Sequence, residues 1–195
     1  MEADKAARPL NRCEYVFDVV TELSKMENEF YLIFKRVLWY FPIRLELDSY
    51  IDMMYNQILP DFIEGLVVVT SKHEELSHLS NDIALLAALK WKSDDRTGVP
   101  SLREVRDLLP VTVVGFGELK PQQWVGMIHG KLEQIEHLSV VLAKIKFLEV
   151  IQTWPMFGST FFYVKNVFDT RIDGECIMAI NKKGAFFLDK ETHVS

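Results

Sequence analysis

No apolar run in the sequence approaches the roughly 18 residues that a membrane-spanning helix needs. The first twelve residues, MEADKAARPLNR, are charged and polar where an export signal would be apolar. Together these absences predict a cytoplasmic chain. Cysteine is almost missing, with Cys13 and Cys176 near opposite ends of 195 residues. Small secreted domains are cysteine-dense, so two reduced thiols are expected here rather than a disulfide. Positive charge is in deficit, with 22 Lys and Arg against 28 Asp and Glu, a net −6. No Lys/Arg run exceeds two residues. Gripping a phosphate backbone requires a basic face, so nucleic acid is not expected as a partner.

The motifs of catalysis are also wanting. HEELSH looks like a zinc-protease pattern, but His73 and His78 are five residues apart. That is about 140° around a helix, not the shared face of an i, i+4 pair. His129 and His137 have no Cys or carboxylate cluster at ligand spacing beside them. VVGFGELK contains Gly115 and Gly117 but neither the third glycine nor the βαβ frame of a dinucleotide site, and it reads as a turn between helices. No phosphate-binding G-x-x-x-x-G-K-[ST] loop exists. Ser159 has no strand–Ser–helix setting and no adjacent base. Asp94, Asp95, Asp169, Asp173 and Glu175 fall in turns, where Asp serves the backbone. Trp39, Trp91, Trp124 and Trp154 sit in apolar periodic contexts and read as core. No catalytic, cofactor-binding or metal-ligating residue is assigned and no cofactor is expected. Binding residues are left unassigned; Lys35, Arg36 and Arg44 are read as solvated charges in preference to lining a junction between lobes.

What is present is a change of period along the chain. Residues 1–12 are expected to trail without structure. Tyr15, Val16, Val19, Val20 and Leu23 recur at helical spacing, and NEFYLIFKRVLWYFPI (28–43) is dense in the aromatic and β-branched residues of strands. From Asp48, a plausible N-cap, Ile51, Met54, Tyr55, Ile58, Leu59 and Phe62 mark one helix, which Pro60 should kink or divide. Leu76, Leu79, Ile83, Leu86 and Leu89 mark a second, and SDDRTGVP is turn chemistry. Ser101 and Glu104 form a capping box ahead of inward-facing Leu102, Val105, Leu108 and Leu109. Pro121 suits the first turn of a helix carrying Trp124, Met127, Ile128, Leu132 and Ile135. The last helix, from about Ser139 to Thr153, carries Val141, Leu142, Ile145, Leu148 and Ile151 or Val150. Residues 48–153 thus read as a five-segment helical bundle with 10 basic and 15 acidic residues. After Gly158 the pattern turns to β, with STFFYVKNV and then CIMAI and AFFLD joined by NKKG as a hairpin. The fold class is therefore α+β.

The segments IFKRVLWY, DSYIDMMYNQILPDFIEGL, LAALKWK, PSLREVRDLLP, KPQQW, FLEVIQTWPMFGSTFFYVK and MAINKKGAFFLDKET follow one another in order from about residue 14 to the end. In this order the chain resembles the FERM domain in the tails of unconventional myosins, class XV first and then VII and X. WP-x-FGSxFF is the most specific element. The resemblance implies residues 1–43 as a tail and the end of a ubiquitin-like first lobe, and 44–153 as the central lobe, a bundle like acyl-CoA-binding protein. Residues 154–195 become the start of a PH-like third lobe, incomplete as the first is.

That family implies a non-catalytic segment binding cytoplasmic proteins or receptor tails as cargo or scaffold. Actin would be reached only through a motor, membrane contact would be peripheral at most, and the setting would be the cytoplasm and cytoskeleton, including actin-rich protrusions. Peptide capture by strand addition, which such domains perform in the third lobe, would lack its groove here. Three other readings stay open. A membrane–cytoskeleton adaptor gripping phosphoinositides or receptor tails predicts basic faces, an acyl-CoA carrier predicts a Tyr/Lys-lined groove, and a gene fragment predicts no independent function. An uncovered edge on the CIMAI/AFFLD hairpin is expected to favour pairing with another chain.

Overall fold

The computed structural model of the chain describes residues 10–26, 29–32, 36, 39, 43–68, 73–116, 119–165 and 175–189, with the side chains of 73–78, 115 and 116 left aside. The chain divides into two units, Met1–Lys35 and Arg36–Ser195. In the first, α1 (Val16–Leu23) buries Val19, while Tyr15, Val16 and Phe17 stay exposed. The Thr21 and Ser24 hydroxyls donate to the carbonyls of Phe17 and Val20 along its last turns.

Among its described residues the second unit holds six helices: α2 (Asp48–Ile63), α3 (His73–Ser93), α4 (Leu102–Leu108), α5 (Val111–Phe116), α6 (Pro121–Gln134) and α7 (Val140–Ile151). Strands β1 (Thr160–Lys165), β2 (Glu175–Asn181) and β3 (Gly184–Asp189) follow. α3 is the central member and packs against α4, α6 and α7, while α2 lies against α7. Its second half is buried nearly all round: Ile83, Ala84, Leu86, Ala87, Ala88 and Leu89 are sealed from solvent. The three alanines let neighbouring helices approach closely, and each buried Leu or Ile contributes about 1.5–3 kcal/mol. Phe147 of α7 meets Tyr55 and Phe62 of α2 edge to face at 5.1 and 5.6 Å, and Phe62 also touches Trp154. No helix among the described residues is long and apolar enough to cross a membrane.

Several sequence expectations hold and several are corrected. The Ser101–Glu104 capping box is complete, Pro121 opens α6, and the Ser139 hydroxyl caps α7 by accepting from the Leu142 amide. Asp48 is not the N-cap of α2. Leu47 occupies that position without a side-chain bond, and Asp48 sits in the first turn, where its charge favours the helix dipole. Pro60 does not divide α2, which continues to Ile63. Pro60 and Asn56 are both exposed, so the carbonyl that the missing amide leaves free faces water. Leu102 and Leu142 are not inward-facing but 46% and 48% exposed, and Ala143 and Phe147 take the buried positions on α7. The described residues of the region form six helical segments, not five, because the stretch read as a turn begins with α5, whose Val113 is buried. Pro110 supplies a carbonyl to the amides of Val113 and Val114 and starts that helix. Of the strand expected over 28–43, residues 29–32, 36, 39 and 43 carry no strand, since no ladder partner lies beside them among the described residues. The rest of that stretch, and residues 1–9 of the expected trailing start, lie outside the described residues.

The sheet is antiparallel in the order β1-β2-β3, with Phe161↔Ala179↔Phe186 and Tyr163↔Ile177↔Leu188 in register on one face. Ile177, Ala179 and Leu188 of that face join the helical core. The NKKG hairpin forms as expected, with Asn181 paired to Gly184 and a two-residue turn between them.

The corner between α7 and β1 explains why WP-x-FGSxFF is so recognisable. Trp154 is buried, Phe157 meets Trp39 edge to face at 5.2 Å, and Gly158 turns the chain with φ +70°. Asn181 reaches back from β2 and donates to the Pro155 carbonyl at 3.1 Å and the buried Ser159 hydroxyl at 2.9 Å. Its own oxygen accepts the Lys183 amide at 2.8 Å. One side chain thus fastens the hairpin turn to the corner. Asn181→Ala is expected to cost about 1–2 kcal/mol, because it leaves the buried Ser159 hydroxyl without its donor, while the exposed Pro155 carbonyl turns to water. Asn181→Asp should recover only the part due to Lys183. Urea unfolding of the three proteins measures the difference, and equal stability would mean the corner is held by packing alone.

Candidate functional site

Among the described residues no three His, Cys, Asp or Glu side chains converge to hold a metal. His129 faces Glu133 at 4.0 Å on α6, His137 is exposed, and His73 and His78 lie on α3 with side chains outside the description. Gly115 belongs to α5, whereas Gly117, Asp169, Asp173 and Lys35 fall outside the described residues. Asp94 and Asp95 shape the turn after α3, with Asp95 at φ 55°, and Glu175 opens β2 rather than lying in a turn. Cys13 is exposed and Cys176 buried, and both are free thiols. Ser159 is a structural hydroxyl.

Arg36 is not the solvated charge its sequence context predicts. Its Nη1 donates to the Tyr50 hydroxyl at 2.7 Å, and its guanidinium stacks over Trp39 at 4.9 Å. Its backbone exchanges two hydrogen bonds with the Gln57 carboxamide, at 2.8 and 2.7 Å. Partners 14 and 21 residues away leave no local sequence signal. Arg44 is exposed, as expected.

One buried polar pair lies inside the bundle. The Tyr55 hydroxyl bonds to Ser93, whose hydroxyl in turn donates to the Lys90 carbonyl. Lys144 stands over the Tyr55 ring and pairs with Asp52 at 2.7 Å. Burial pushes the Tyr55 phenol up to about 12, against the opposing pull of the Ser93 bond and with a further rise from Asp94. Because the folded pKa is raised above the ordinary 10.0, this stabilisation is present below pH 10 and lost as pH rises through about 12. The loss by then is about 2 kcal/mol. Tyr55→Phe removes that pH dependence, so the stability gap between the two proteins should shrink across this range. A near-ultraviolet titration should show the variant lacking a tyrosine ionisation near pH 12 that the parent has. If the ionisation that the variant lacks falls at the ordinary 10.0 instead, the hydroxyl is open to solvent.

The surface around α4 and α6 exposes positive charge at Arg103 and Arg106 within the acidic lobe. The turn before it is pinned by Trp91, whose indole N–H donates to the Gly98 carbonyl at 3.1 Å, and by Arg96 stacked over that indole. The Ser101 hydroxyl and amide, with help from Arg96, hold the Glu104 carboxyl below the usual carboxylate range. Glu104 is therefore committed to the cap and to Arg96. Beyond it, Leu102, Arg103 and Arg106 of α4 and Pro121 and Gln122 of α6 line an open groove of about 310 Å³. Arg103 and Arg106 are exposed, and neither makes an ion pair among the described residues. Sequence reading missed this groove, because its walls come from helices separated by α5 and a turn.

The model of the FERM central domain family matches residues 43–162. Human unconventional myosin-XV is 33% identical over 185 residues, 95% of this chain and 5% of that protein. Human unconventional myosin-XVB is 25% identical over 191 residues, 96% of this chain and 6% of that protein. The chain thus spans about a twentieth of the length of these curated relatives. Among solved structures, the human Myosin 7b C-terminal MyTH4-FERM domain in complex with harmonin-a PDZ3 has a TM-score of 0.64 and 25% identity, covering 80% of this chain and 31% of that one. The Dictyostelium discoideum myosin VII MyTH4-FERM MF2 domain matches in fold, with a TM-score of 0.59 and 21% identity over 91% of this chain and 36% of that one.

Proposed function

Because the chain belongs to the FERM family and carries its central domain, we propose that it is a non-catalytic protein-interaction segment of the kind found in unconventional myosin tails. It would bind cytoplasmic proteins or receptor tails as cargo or scaffold. The observation that carries this reading is the 33% identity with human unconventional myosin-XV across 95% of the chain. A MyTH4-FERM relative solved in complex with a harmonin PDZ domain supports a protein as the partner class. On this reading residues 1–43 are a tail and the end of a first lobe, 44–153 the central helical lobe, and 154–195 the start of a third. Contact with actin is indirect, through a motor, and contact with membrane is peripheral. The working place is the cytoplasm and cytoskeleton, including actin-rich protrusions.

The test is chemical cross-linking of the tagged chain in cells that build actin protrusions, read by peptide mass spectrometry. Cross-links from lysines of the helical lobe to cytoplasmic scaffold or receptor-tail peptides are expected. Retention of an acyl-CoA by the purified chain in native mass spectrometry, with no protein cross-links above a tag-only control, would overturn the proposal in favour of a carrier.

A further inference from the structure

We propose that the groove between α4 and α6 takes an acidic peptide segment anchored by one aliphatic side chain. The proposal rests on the protein-interaction reading above and names the chemistry of one partner site. Arg103 and Arg106 are three apart on α4 and so stand side by side on the helix surface. The lobe around them is acidic, with 15 acidic against 10 basic residues over 48–153. Two exposed guanidinium groups without a carboxylate partner among the described residues are therefore a local exception in the field. Guanidinium forks suit carboxylates, which they bind through paired N–H donors.

The apolar part of the groove fixes the second requirement. Leu102, 46% exposed, lines the groove together with Pro121, which gives an aliphatic side chain a place to leave water. Gln122 brings both a donor and an acceptor for an extended backbone. The groove opens on the first turn of the 14-residue α6, whose dipole is positive at that end. The nearby Glu104 is held by Ser101 and Arg96 and does not neutralise the arginines. The lobe as a whole carries 15 acidic against 10 basic residues over 48–153, which opposes a flat anionic membrane, whereas a peptide meets the groove alone. The geometry favours the peptide.

Fluorescence anisotropy on the full chain tests the proposal with a labelled peptide of Asp, Glu and Leu, its Lys-substituted counterpart and its Ser-for-Leu counterpart. The acidic Leu peptide should bind at least about tenfold tighter than the Lys peptide, and added salt should narrow the gap. The Ser peptide should bind more weakly than its Leu parent. Arg103→Glu/Arg106→Glu should reverse the charge preference, and Arg103→Gln/Arg106→Gln should abolish it. Both variants change exposed side chains only, and circular dichroism checks that the helices persist. A charge preference unchanged by the double reversal would overturn the proposal, as would tighter binding to vesicles containing phosphatidylinositol bisphosphate than to the acidic peptide. If the peptides fail while cellular cross-links to proteins persist, this groove is refuted and the broader reading stands.

Discussion

Phe147→Ala is expected to lower the stability of the helical lobe by about 3–5 kcal/mol. Phe147 is sealed from solvent at the place where α7 meets α2, and its ring makes edge-to-face contacts with both Tyr55 and Phe62. Truncation removes the buried ring, leaves a cavity that these neighbours cannot close without leaving their rotamers, and forfeits two aromatic pairs worth about 0.5–1.5 kcal/mol each. Domains of this size have about 5–15 kcal/mol in all, so the variant should sit near the edge of folding. Phe147→Leu keeps most of the volume and should cost clearly less. Urea unfolding followed by circular dichroism measures both, and a loss under about 1 kcal/mol for the alanine variant would contradict a close-packed core.

Gly158→Ala is the second large effect, at about 2–5 kcal/mol, and it acts through two separable causes. At φ +70° any Cβ meets the backbone, and here it would also stand 2.6 Å from Trp39 Cβ and 2.8 Å from its Cγ. Gly98 provides the comparison within the same molecule. Its φ is +74°, yet a Cβ there would meet nothing within 4 Å. Gly98→Ala should therefore show only the left-handed penalty of about 1–2 kcal/mol. The excess at Gly158 is the collision with Trp39, and it should fall away in a Trp39→Gly background, which removes the Cβ as well as the ring, so that the cycle isolates the pairwise effect. Equal losses at the two glycines would place the Trp39 side chain elsewhere.

Local chemistry made much of this fold legible. The capping box at Ser101, the proline opening α6 and the NKKG turn each satisfy backbone groups within four residues, so their signal is complete in a short window. The features that escaped depend on distant partners or on competing preferences. The first four residues of α5 are Val-Thr-Val-Val, and β-branching argues against the helix that Pro110 and the burial of Val113 impose. Leu102 and Leu142 obey a helical stripe but lie at its margin, where a neighbour's position decides exposure. Asn181 ends β2 beside an ordinary turn, and its role appears only once Pro155 and Ser159 come within reach. The groove at Arg103 and Arg106 needs α4 and α6 brought together, which no linear spacing encodes.

The four indoles are distributed so that the molecule carries its own optical reporters. Trp91, Trp124 and Trp154 are buried in separate parts of the helical core, while Trp39 is half-buried at the corner with Phe157. Indole emission moves to longer wavelength when water reaches the ring. Loss of the core and loosening of the corner therefore leave different spectral traces, the first reaching Trp91 and Trp124 and the second confined to Trp39 and Trp154. An unlabelled sample thus tells a partner that shifts the corner from one that merely rests on the acidic surface.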